Sequence, residues 1–354
     1  MFSLFKKNEL VGLDIGTSSV KVIQLKRAGK GFELLHLGIA AIPPETIVDG
    51  VIMDANAVVS TINQIFAENA IKTKDVAVAV SGHSVIVKKI RMTQMKEEEL
   101  RESIQWEAEQ YIPFAIEDVN IDFQIIGPPT AESQEMDIIL VAVKKDIIND
   151  YQAIISSAGL QVAVVDVDAF ALENAYTASY GINPNELVAL VNLGAAVMTI
   201  NILKNGVSAF TRDSVFGGNR YTEAIQKGLA LSYDQAEKLK MGQEVEAHTF
   251  EDAKPMIAEV NNELAGEIRR SFDFFRSSSQ DEPIHKLILS GGSALLPGVL
   301  EFLSQNLEIP AEIANPLRNI KADPQKFDPE YLEFIAPQTA ISVGLALRQL
   351  GDKS

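Results

Sequence analysis

A short segment near the start of the chain has residue types suited to binding a phosphate group together with a divalent cation. Residues 11–25, VGLDIGTSSVKVIQL, predict a β-hairpin in which Asp14 lies just before a tight turn of Gly16, Thr17, Ser18 and Ser19. Apolar residues alternate with small or acidic ones along the first strand, so one face packs and the other stays open. Backbone N–H groups and three hydroxyls in such a turn suit a phosphate, and Asp14 is placed to hold the waters of a Mg²⁺ ion. The alternative is an ordinary tight turn without a ligand.

Two later segments have a related pattern. Residues 187–203, LVALVNLGAAVMTINIL, predict a second strand, small-residue turn and strand, and residues 287–299, LILSGGSALLPGV, predict a buried strand that ends at a Gly-Gly turn before a helix started by Pro297. Two hairpins followed by such a turn resemble the actin–Hsp70–sugar-kinase superfamily. The resemblance implies an α/β, actin-like ATPase fold with two domains around a nucleotide cleft. In that fold the hairpins hold the phosphates from opposite sides, and the Gly-Gly turn lies against the nucleoside.

Composition excludes several other classes of protein. The chain has 354 residues, no cysteine and a net charge of −17. Its length predicts two domains, the lack of cysteine excludes a disulfide scaffold and thiolate metal sites, and the charge argues against nucleic acid or an anionic membrane as the main partner. The longest uncharged run, residues 187–203, contains Asn192 and Asn201, so two buried strands explain it better than a membrane span. We therefore expect a soluble protein with no direct membrane span.

The order of predicted elements divides the chain into a first domain, an insert, a second domain with a helical outer lobe, and a returning helix. The predicted helices include 55–68, 96–111 and 338–350, and residues 84–160 read as strand, helix, strand, strand, helix. The expected boundaries are 1–83 and 161–186 for the first domain, 84–160 for the insert, 187–218 and 281–336 for the second-domain core, 219–280 for the outer lobe and 337–354 for the returning helix.

Six segments narrow the resemblance to one family: LVGLDIGTSSVKVIQL, SIQWEAEQYIPF, VDVDAFALENA, FTRDSVFGGNRYTEAI, SYDQAEKLK and LILSGGSALLPGVLEFL. Across essentially the whole chain they closely resemble the PilM family of actin-like proteins in type IV pilus assembly, with an insert like that of FtsA. The resemblance implies a cytoplasmic, FtsA-like protein that binds ATP and Mg²⁺. It would dock the cytoplasmic N-terminal tail of PilN in a groove between the first domain and the insert. With PilN and PilO it would form part of the inner-membrane platform that is coupled to the pilus motors, and it would associate with the membrane through these partners.

The same resemblance assigns nucleotide-binding residues. They are Asp14, Gly16, Thr17, Ser18, Ser19 and Lys21 in the first hairpin, Asn192, Gly194, Ala195 and Ala196 in the second, Gly217 and Gly218 before a helix, Glu237 and Lys240 for the ribose and adenine, and Gly291, Gly292, Ser293 and Ala294 in the Gly-Gly turn. Three of these assignments have structural alternatives. Lys21 is nearly as well explained as a solvated strand lysine, Glu237 and Lys240 as a surface ion pair, and Gly217 and Gly218 as a plain turn.

The sequence departs from the superfamily at Asn192, where the usual residue is Asp. Loss of this carboxylate removes a group that would hold a Mg²⁺-bound water or orient the attacking water, so we expect ATP to bind and its hydrolysis to be slow at most. Asp166 and Asp168 follow a buried strand where related enzymes keep a water-activating side chain, which makes both weak catalytic candidates. For Asp168, an acidic residue at a helix start is the simpler interpretation.

The alternatives are a small-molecule kinase of the sugar-kinase type and an actin-like filament-forming or division protein. A kinase needs a substrate pocket with a well-placed aspartate base, and this function would give the insert no purpose. For the filament-forming alternative, the sequence leaves open whether the protein forms homo-oligomers. The single tryptophan, Trp106, points away from the apolar stripe of its predicted helix. We expect it to pack between the insert and the first domain rather than to line a peptide groove.

Overall fold

The computed structural model describes residues 9–48, 50–126, 135–245, 247–279 and 282–352. The strands are β1 (Val11–Ile15), β2 (Ser19–Ala28), β3 (Gly31–Ala41), β4 (Ile47–Val48), β5 (Val51–Ile52), β6 (Asp75–Val80), β7 (Val85–Thr93), β8 (Val119–Ile126), β9 (Glu135–Lys144), β10 (Gln161–Val167), β11 (Leu187–Leu193), β12 (Met198–Lys204), β13 (Val207–Ser214), β14 (Lys286–Ser290), β15 (Ala311–Ile313) and β16 (Ile320–Lys321). The helices are α1 (Ala55–Glu68), α2 (Glu97–Ala108), α3 (Lys145–Ser157), α4 (Asp168–Tyr180), α5 (Gly218–Leu229), α6 (Tyr233–Lys240), α7 (Phe250–Ser278), α8 (Val299–Leu307), α9 (Pro329–Ile335) and α10 (Ala340–Ala346).

Two mixed sheets in the described part of the chain share one topology. The first has the order β10-β6-β1-β2-β3-β16 and the second the order β13-β12-β11-β14-β15. In each, three consecutive strands run antiparallel (β1 to β3, and β11 to β13), and two later strands add in parallel beside the first of them. The sequence shows this duplication only through its two hairpins, because the core-facing residues of the two sheets need to be apolar but not alike.

The insert forms a separate small sheet, β7-β9-β8, with α2 packed on it. The predicted order of strand, helix, strand, strand, helix over residues 84–160 is confirmed. Helix α2 ends at Ala108 instead of the predicted Tyr111, since Pro113 disfavours a helical conformation just before it. The last helix of the segment, α3, buries Ile154 and Ile155 in the core of the first sheet. We therefore propose that the insert is residues 84–144; the other domain boundaries stay predictions.

The two sheets face each other across α4 and α10, which share an apolar core with both. Leu172 of α4 and Leu345 of α10 belong to one buried cluster with Ala77 of the first sheet and Leu190 of the second. Helix α10 is shorter than the predicted 338–350, since a 3-10 turn over Ala336–Thr339 precedes it. Helix α8 likewise begins at Val299 rather than at Pro297. Among the described residues, no helix is both long and apolar enough to cross a bilayer.

Glycine makes the α10 contacts possible. A Cβ atom at Gly344 would lie 1.8 Å from the backbone oxygen of Ala171 in α4, and one at Gly12 in β1 would lie 2.2 Å from that of Ser342 in α10. Helix α10 therefore crosses closely over both β1 and α4. Because the obstructing atoms belong to buried backbone, neither contact has a flexible side chain that can move away.

Substitution of Gly344 by alanine tests this contact. We expect Gly344→Ala to lower the free energy of unfolding by about 1–3 kcal/mol, the usual cost of overpacking, despite the better helix propensity of alanine. Gly266→Ala is the control, since its Cβ would lie 3.6 Å from its nearest neighbour, the flexible Arg270 side chain, at a half-buried position of α7. This control gains up to about 1 kcal/mol from propensity. Urea unfolding of both variants measures the difference, and equal stabilisation by both contradicts the close crossing.

Candidate functional site

A cleft of about 350 Å³ lies between the two sheets and is lined from both sides. Its walls are the turns that follow β1, β6, β11 and β14, together with the start of α5 and one face of α6. Most of the residues assigned from the sequence line it: Asp14, Gly16, Thr17, Ser18, Ser19, Lys21, Asp168, Asn192, Gly194, Ala195, Ala196, Gly218, Glu237, Lys240, Gly291, Gly292 and Ser293. Residues from widely separated parts of the chain therefore meet in a single cavity.

The two hairpin turns are built alike. The Gly16 N–H donates to the Ser19 carbonyl at 3.0 Å, and the Gly194 N–H donates to the Val197 carbonyl at 3.0 Å. Asp14 and Asn192 thus occupy equivalent positions, two residues before the glycine of each turn. Opposite them in the register lie Lys21 in the first sheet and Thr199 in the second.

Lys21 is not a solvated strand lysine. Its Nζ lies 3.1 Å from Asp14 Oδ2, and the two side chains are only 12% and 11% exposed. Asn192 instead accepts a hydrogen bond from the Ser290 hydroxyl at 3.1 Å. The floor of the cleft therefore has an acid–base pair on one side and neutral polar groups at the equivalent place on the other.

The second-sheet side of the cleft depends on a close backbone approach. Gly291 has φ of +90°, and a Cβ there would lie 2.3 Å from the Leu193 carbonyl oxygen. The Ser293 hydroxyl donates to the Gly194 carbonyl at 3.0 Å, which fixes the Gly-Gly turn against the second hairpin. Gly292 differs: a Cβ at this position would lie 3.8 Å from the Gln338 side chain, so the turn leaves space there.

Glu237 and Lys240 form a partly buried ion pair, in which Lys240 is buried and Glu237 is 33% exposed, and not the surface pair considered as the alternative. Lys240 is 6% exposed, and its Nζ lies 2.5 Å from Glu237 Oε1 and 2.9 Å from the Thr222 hydroxyl. Burial lowers the pKa of Lys240, and Glu237 opposes this change. Lys240 thus holds the Glu237 carboxylate in place, and this partly exposed carboxylate can accept hydrogen bonds from hydroxyl groups such as those of a ribose.

Three assigned residues lie outside the cleft lining. Gly217 packs beneath the second hairpin turn, where its Cβ would lie 2.4 Å from the Ala195 oxygen, and Ala294 is buried in the second-sheet core. Asp166 is 4% exposed and faces Arg348, whose Nε lies 3.4 Å from Asp166 Oδ2. The structure thus gives Gly217 and Ala294 supporting positions and does not support Asp166 as a catalytic residue.

Asp168 lies at the start of α4 and lines the cleft near two other carboxylates. Burial raises its pKa to about 8, and Asp14 and Asp213 contribute to the increase. Burial also raises the pKa of Asp213, while its hydrogen bond from the Gly82 N–H opposes this change. Buried carboxylates with a raised pKa in a cleft, here Asp168 and Asp213, are a frequent mark of a functional site.

The sequence did not single out Asp213 or the turn at residues 81–84, which also lines the cleft. Asp213 lies on β13, paired with Thr199 of β12, which is paired in turn with Asn192 of β11. Only this strand pairing reveals that the three side chains form one row on the face toward the cleft. The one signal in the sequence that could have identified Asp213 was an acidic residue within the segment FTRDSVFGG.

The donor set fits a magnesium nucleotide better than a metal ion held by protein alone. Within the part of the chain that the structure describes, no three His, Cys, Asp or Glu side chains could together hold a metal. Asp14 and Asp168 nevertheless offer hard oxygen ligands at the cleft floor, and Mg²⁺ commonly combines one or two carboxylates with phosphate and water.

Trp106 does not pack between the insert and the first domain, although the sequence predicts that it does. Its side chain is 76% exposed on α2, which also carries exposed Glu98 and Glu102, and exposed Glu109 directly follows the helix. The expectation was wrong because a helical wheel separates the faces of a helix but does not show whether another element covers each of them.

Comparison with known proteins identifies the family. A family model described as type IV pilus assembly protein PilM matches residues 12–350. The chain belongs to the PilM family. Its structure is similar to that of a PilM–PilN type IV pilus biogenesis complex, with 29% identity, a TM-score of 0.87, and coverage of 97% of this chain and 98% of that one.

More distant members of the superfamily are also similar to this PilM-family chain. The cell division protein FtsA of Bacillus subtilis is 24% identical over 364 residues, with 90% of this chain and 81% of the relative covered. MreB5 of Spiroplasma citri bound to AMPPNP is 14% identical, with a TM-score of 0.51 and coverage of 95% and 94%. These matches confirm the predicted actin-like fold.

The raised pKa of Asp168 predicts how stability depends on pH. Between the ordinary pKa of 3.8 and the folded value of about 8, the folded protein keeps a proton that the unfolded chain has lost. This group therefore makes the free energy of unfolding fall as pH rises through that interval. Asp168→Asn cannot ionise, so we expect its stability relative to the parent protein to increase from pH 5 to pH 8 in urea unfolding. Asp273→Asn, at an exposed position, controls for the loss of one charge. A difference that does not change with pH contradicts the prediction.

Proposed function

We propose that this PilM-family protein is a cytoplasmic, nucleotide-binding scaffold of the type IV pilus inner-membrane platform that docks the cytoplasmic N-terminal tail of PilN. The observation that carries the proposal is the similarity over 97% of the chain to the PilM–PilN complex, together with family membership over residues 12–350. PilO and, through the platform, the pilus motors follow as indirect partners. No observation favours a small-molecule kinase.

The nucleotide in this proposal is ATP with Mg²⁺. The cleft supports it, because both hairpin turns, the Gly-Gly turn and the Glu237–Lys240 pair face one cavity, and the similar fold of MreB5 holds AMPPNP. The turns at Gly16 and Gly194 would hold the phosphates, Asp14 and Asp168 would face the metal and its waters, and Glu237 with Lys240 would bind the nucleoside. Bound Mg²⁺ would neutralise phosphate charge in a cleft that is otherwise acidic. With Asn192 in place of aspartate, we infer slow hydrolysis at most.

For the tail, the surface of α2 around Trp106 supplies a suitable anchor. An exposed tryptophan offers a large rigid contact area, and such residues dominate binding energy at interfaces. The exposed glutamates of α2 and the net charge of −17 favour a basic segment. Cytoplasmic segments next to a transmembrane helix are rich in Lys and Arg, so the tail of a membrane protein with this topology has complementary charge.

Gly292→Val tests nucleotide binding. The free space at Gly292 in the cleft means that the protein should fold with a side chain there, while the nucleoside loses its place. We expect the affinity for Mg·AMPPNP, measured by isothermal titration calorimetry, to fall at least about tenfold, which is about 1.4 kcal/mol. Gly31→Val is the matched control, since a Cβ there lies 4.0 Å from its nearest neighbour, Asn319, in a strand outside the cleft lining. Equal affinities of the two variants would place the nucleotide elsewhere.

Trp106→Ala tests the tail-docking surface. The measurement is fluorescence anisotropy of a labelled peptide from the N-terminus of the host's PilN, titrated with protein in the presence and absence of Mg·AMPPNP. We expect saturable binding that changes with nucleotide and that Trp106→Ala weakens at least about tenfold, while the exposed neighbour Gln105→Ala has little effect. Because Trp106 is the only tryptophan, its emission should shift to the blue when the peptide covers it. Unchanged affinity of Trp106→Ala would locate the tail on another surface.

A further inference from the structure

The insert is joined to the rest of the protein by a two-chain neck at the edge of the cleft. The chain enters through residues 81–84, between β6 and β7, and leaves after Lys144 at the end of β9. The two crossings are tied together, since the Lys144 N–H donates to the Ser84 carbonyl at 3.0 Å. All four residues of the entering turn line the cleft. A change in the cleft that moves this turn therefore moves the base of the insert.

Two carboxylates hold the turn. The Gly82 N–H donates to Asp213 Oδ2 at 2.6 Å, across 131 residues of sequence, and the Ser81 side chain forms a hydrogen bond with Asp168. Gly82 has φ of +84° and nothing within 4 Å of the position of a Cβ atom. Packing thus does little to fix the turn at Gly82, and its hydrogen bonds set its position.

Asp213 is also accessible from the cleft. It stands in the same row as Asn192 and Thr199 on adjacent strands, a hydrogen bond from Thr199 orients it, and all three residues line the cavity. A phosphate held by the second hairpin brings negative charge toward this carboxylate, and a divalent cation attracts it. The cation therefore competes with the Gly82 N–H for Asp213.

We propose that Asp213 is a positioning residue that restrains the neck of the insert in the empty protein and releases it when a magnesium nucleotide fills the cleft. This inference rests on the proposed nucleotide binding and adds the route by which that binding affects the docking part of the molecule. Asp213 is suited to this task because it belongs to the second sheet, whereas the turn it holds continues the first sheet into the insert.

The absence of cysteine allows a direct distance measurement on the full chain. Asn120→Cys on β8 and Glu223→Cys on α5, both at exposed positions, carry spin labels, and pulsed electron paramagnetic resonance gives the distance distribution with and without Mg·AMPPNP. In the parent protein we expect nucleotide to shift and broaden the distribution. In Asp213→Ala the empty protein should already show the released distribution, and nucleotide should cause no further shift. Asp213→Asn keeps an acceptor for the Gly82 N–H and should retain part of the shift.

The controls separate this inference from the proposed function. Asp273→Ala removes an exposed carboxylate from the same domain and should behave as the parent protein. Binding of a fluorescent ATP analogue is measured on the same samples. No binding by the parent protein overturns both proposals. Binding without a shift, or an equal shift in Asp213→Ala, overturns the inference alone. If Asp213→Ala fails to fold by circular dichroism, Asp213→Asn and Ser81→Ala decide the matter, because each weakens one anchor of the turn and an undiminished shift in both contradicts the proposal.

Discussion

The close packing of α10 against α4 and β1 is the constraint on which the cleft depends. Gly344 and Gly12 let helix backbone approach backbone so nearly that no side chain fits, and this brings the equivalent ends of the two sheets face to face. Polar contacts also fix the orientation of α4 in this apolar junction. The Asn201 amide donates to the Ala169 carbonyl at 2.7 Å, and Glu173 accepts hydrogen bonds from Ser208. These contacts bind the first two turns of α4 to the second sheet.

The duplicated topology explains both the symmetry of the cleft and its departure from symmetry. Two hairpins with the same closing hydrogen bond face each other, yet Asp14 with Lys21 on one side corresponds to Asn192 with Thr199 on the other. A phosphate between the turns would thus meet similar backbone but different side chains. Asp213 restores a carboxylate to the second sheet, two strands away from Asn192. Neighbouring strands lie about 4.8 Å apart, so the Asp213 carboxylate is too far from residue 192 to replace a carboxylate there. It lies close to the turn at Gly82 instead, where it accepts the Gly82 N–H.

The sequence predicted the local elements of the site well and its long-range contacts poorly. The hairpins, the Gly-Gly turn and the Glu237–Lys240 pair were found because spacing within a few residues specifies each of them. Asp213 was missed because its position depends on the pairing of β13 with β12 and on the approach of two domains, and neither is written in nearby residues. Asp166 and Asp168 had the same local signal, and strand alternation would put both on one face, but β10 ends at Val167 and Asp168 already belongs to α4. One therefore meets Arg348 and the other the cleft.

The insert and the cleft are proposed to bind ligands of opposite charge, although the protein as a whole is strongly acidic. The proposed basic tail would be attracted to the acidic surface of α2, whereas an anionic nucleotide would meet Asp14 and Asp213, which already raise the pKa of Asp168, so it would require a cation to enter. Electrostatic interaction through solvent cannot link two sites that lie much farther apart than about 8 Å, because salt screens charges beyond this length at physiological ionic strength. Coupling between them has to pass through contiguous structure. Among the described residues, the neck formed by the turn at 81–84 and by Lys144 is continuous with both the cleft and the insert, and its geometry is set by a few hydrogen bonds rather than by a packed core.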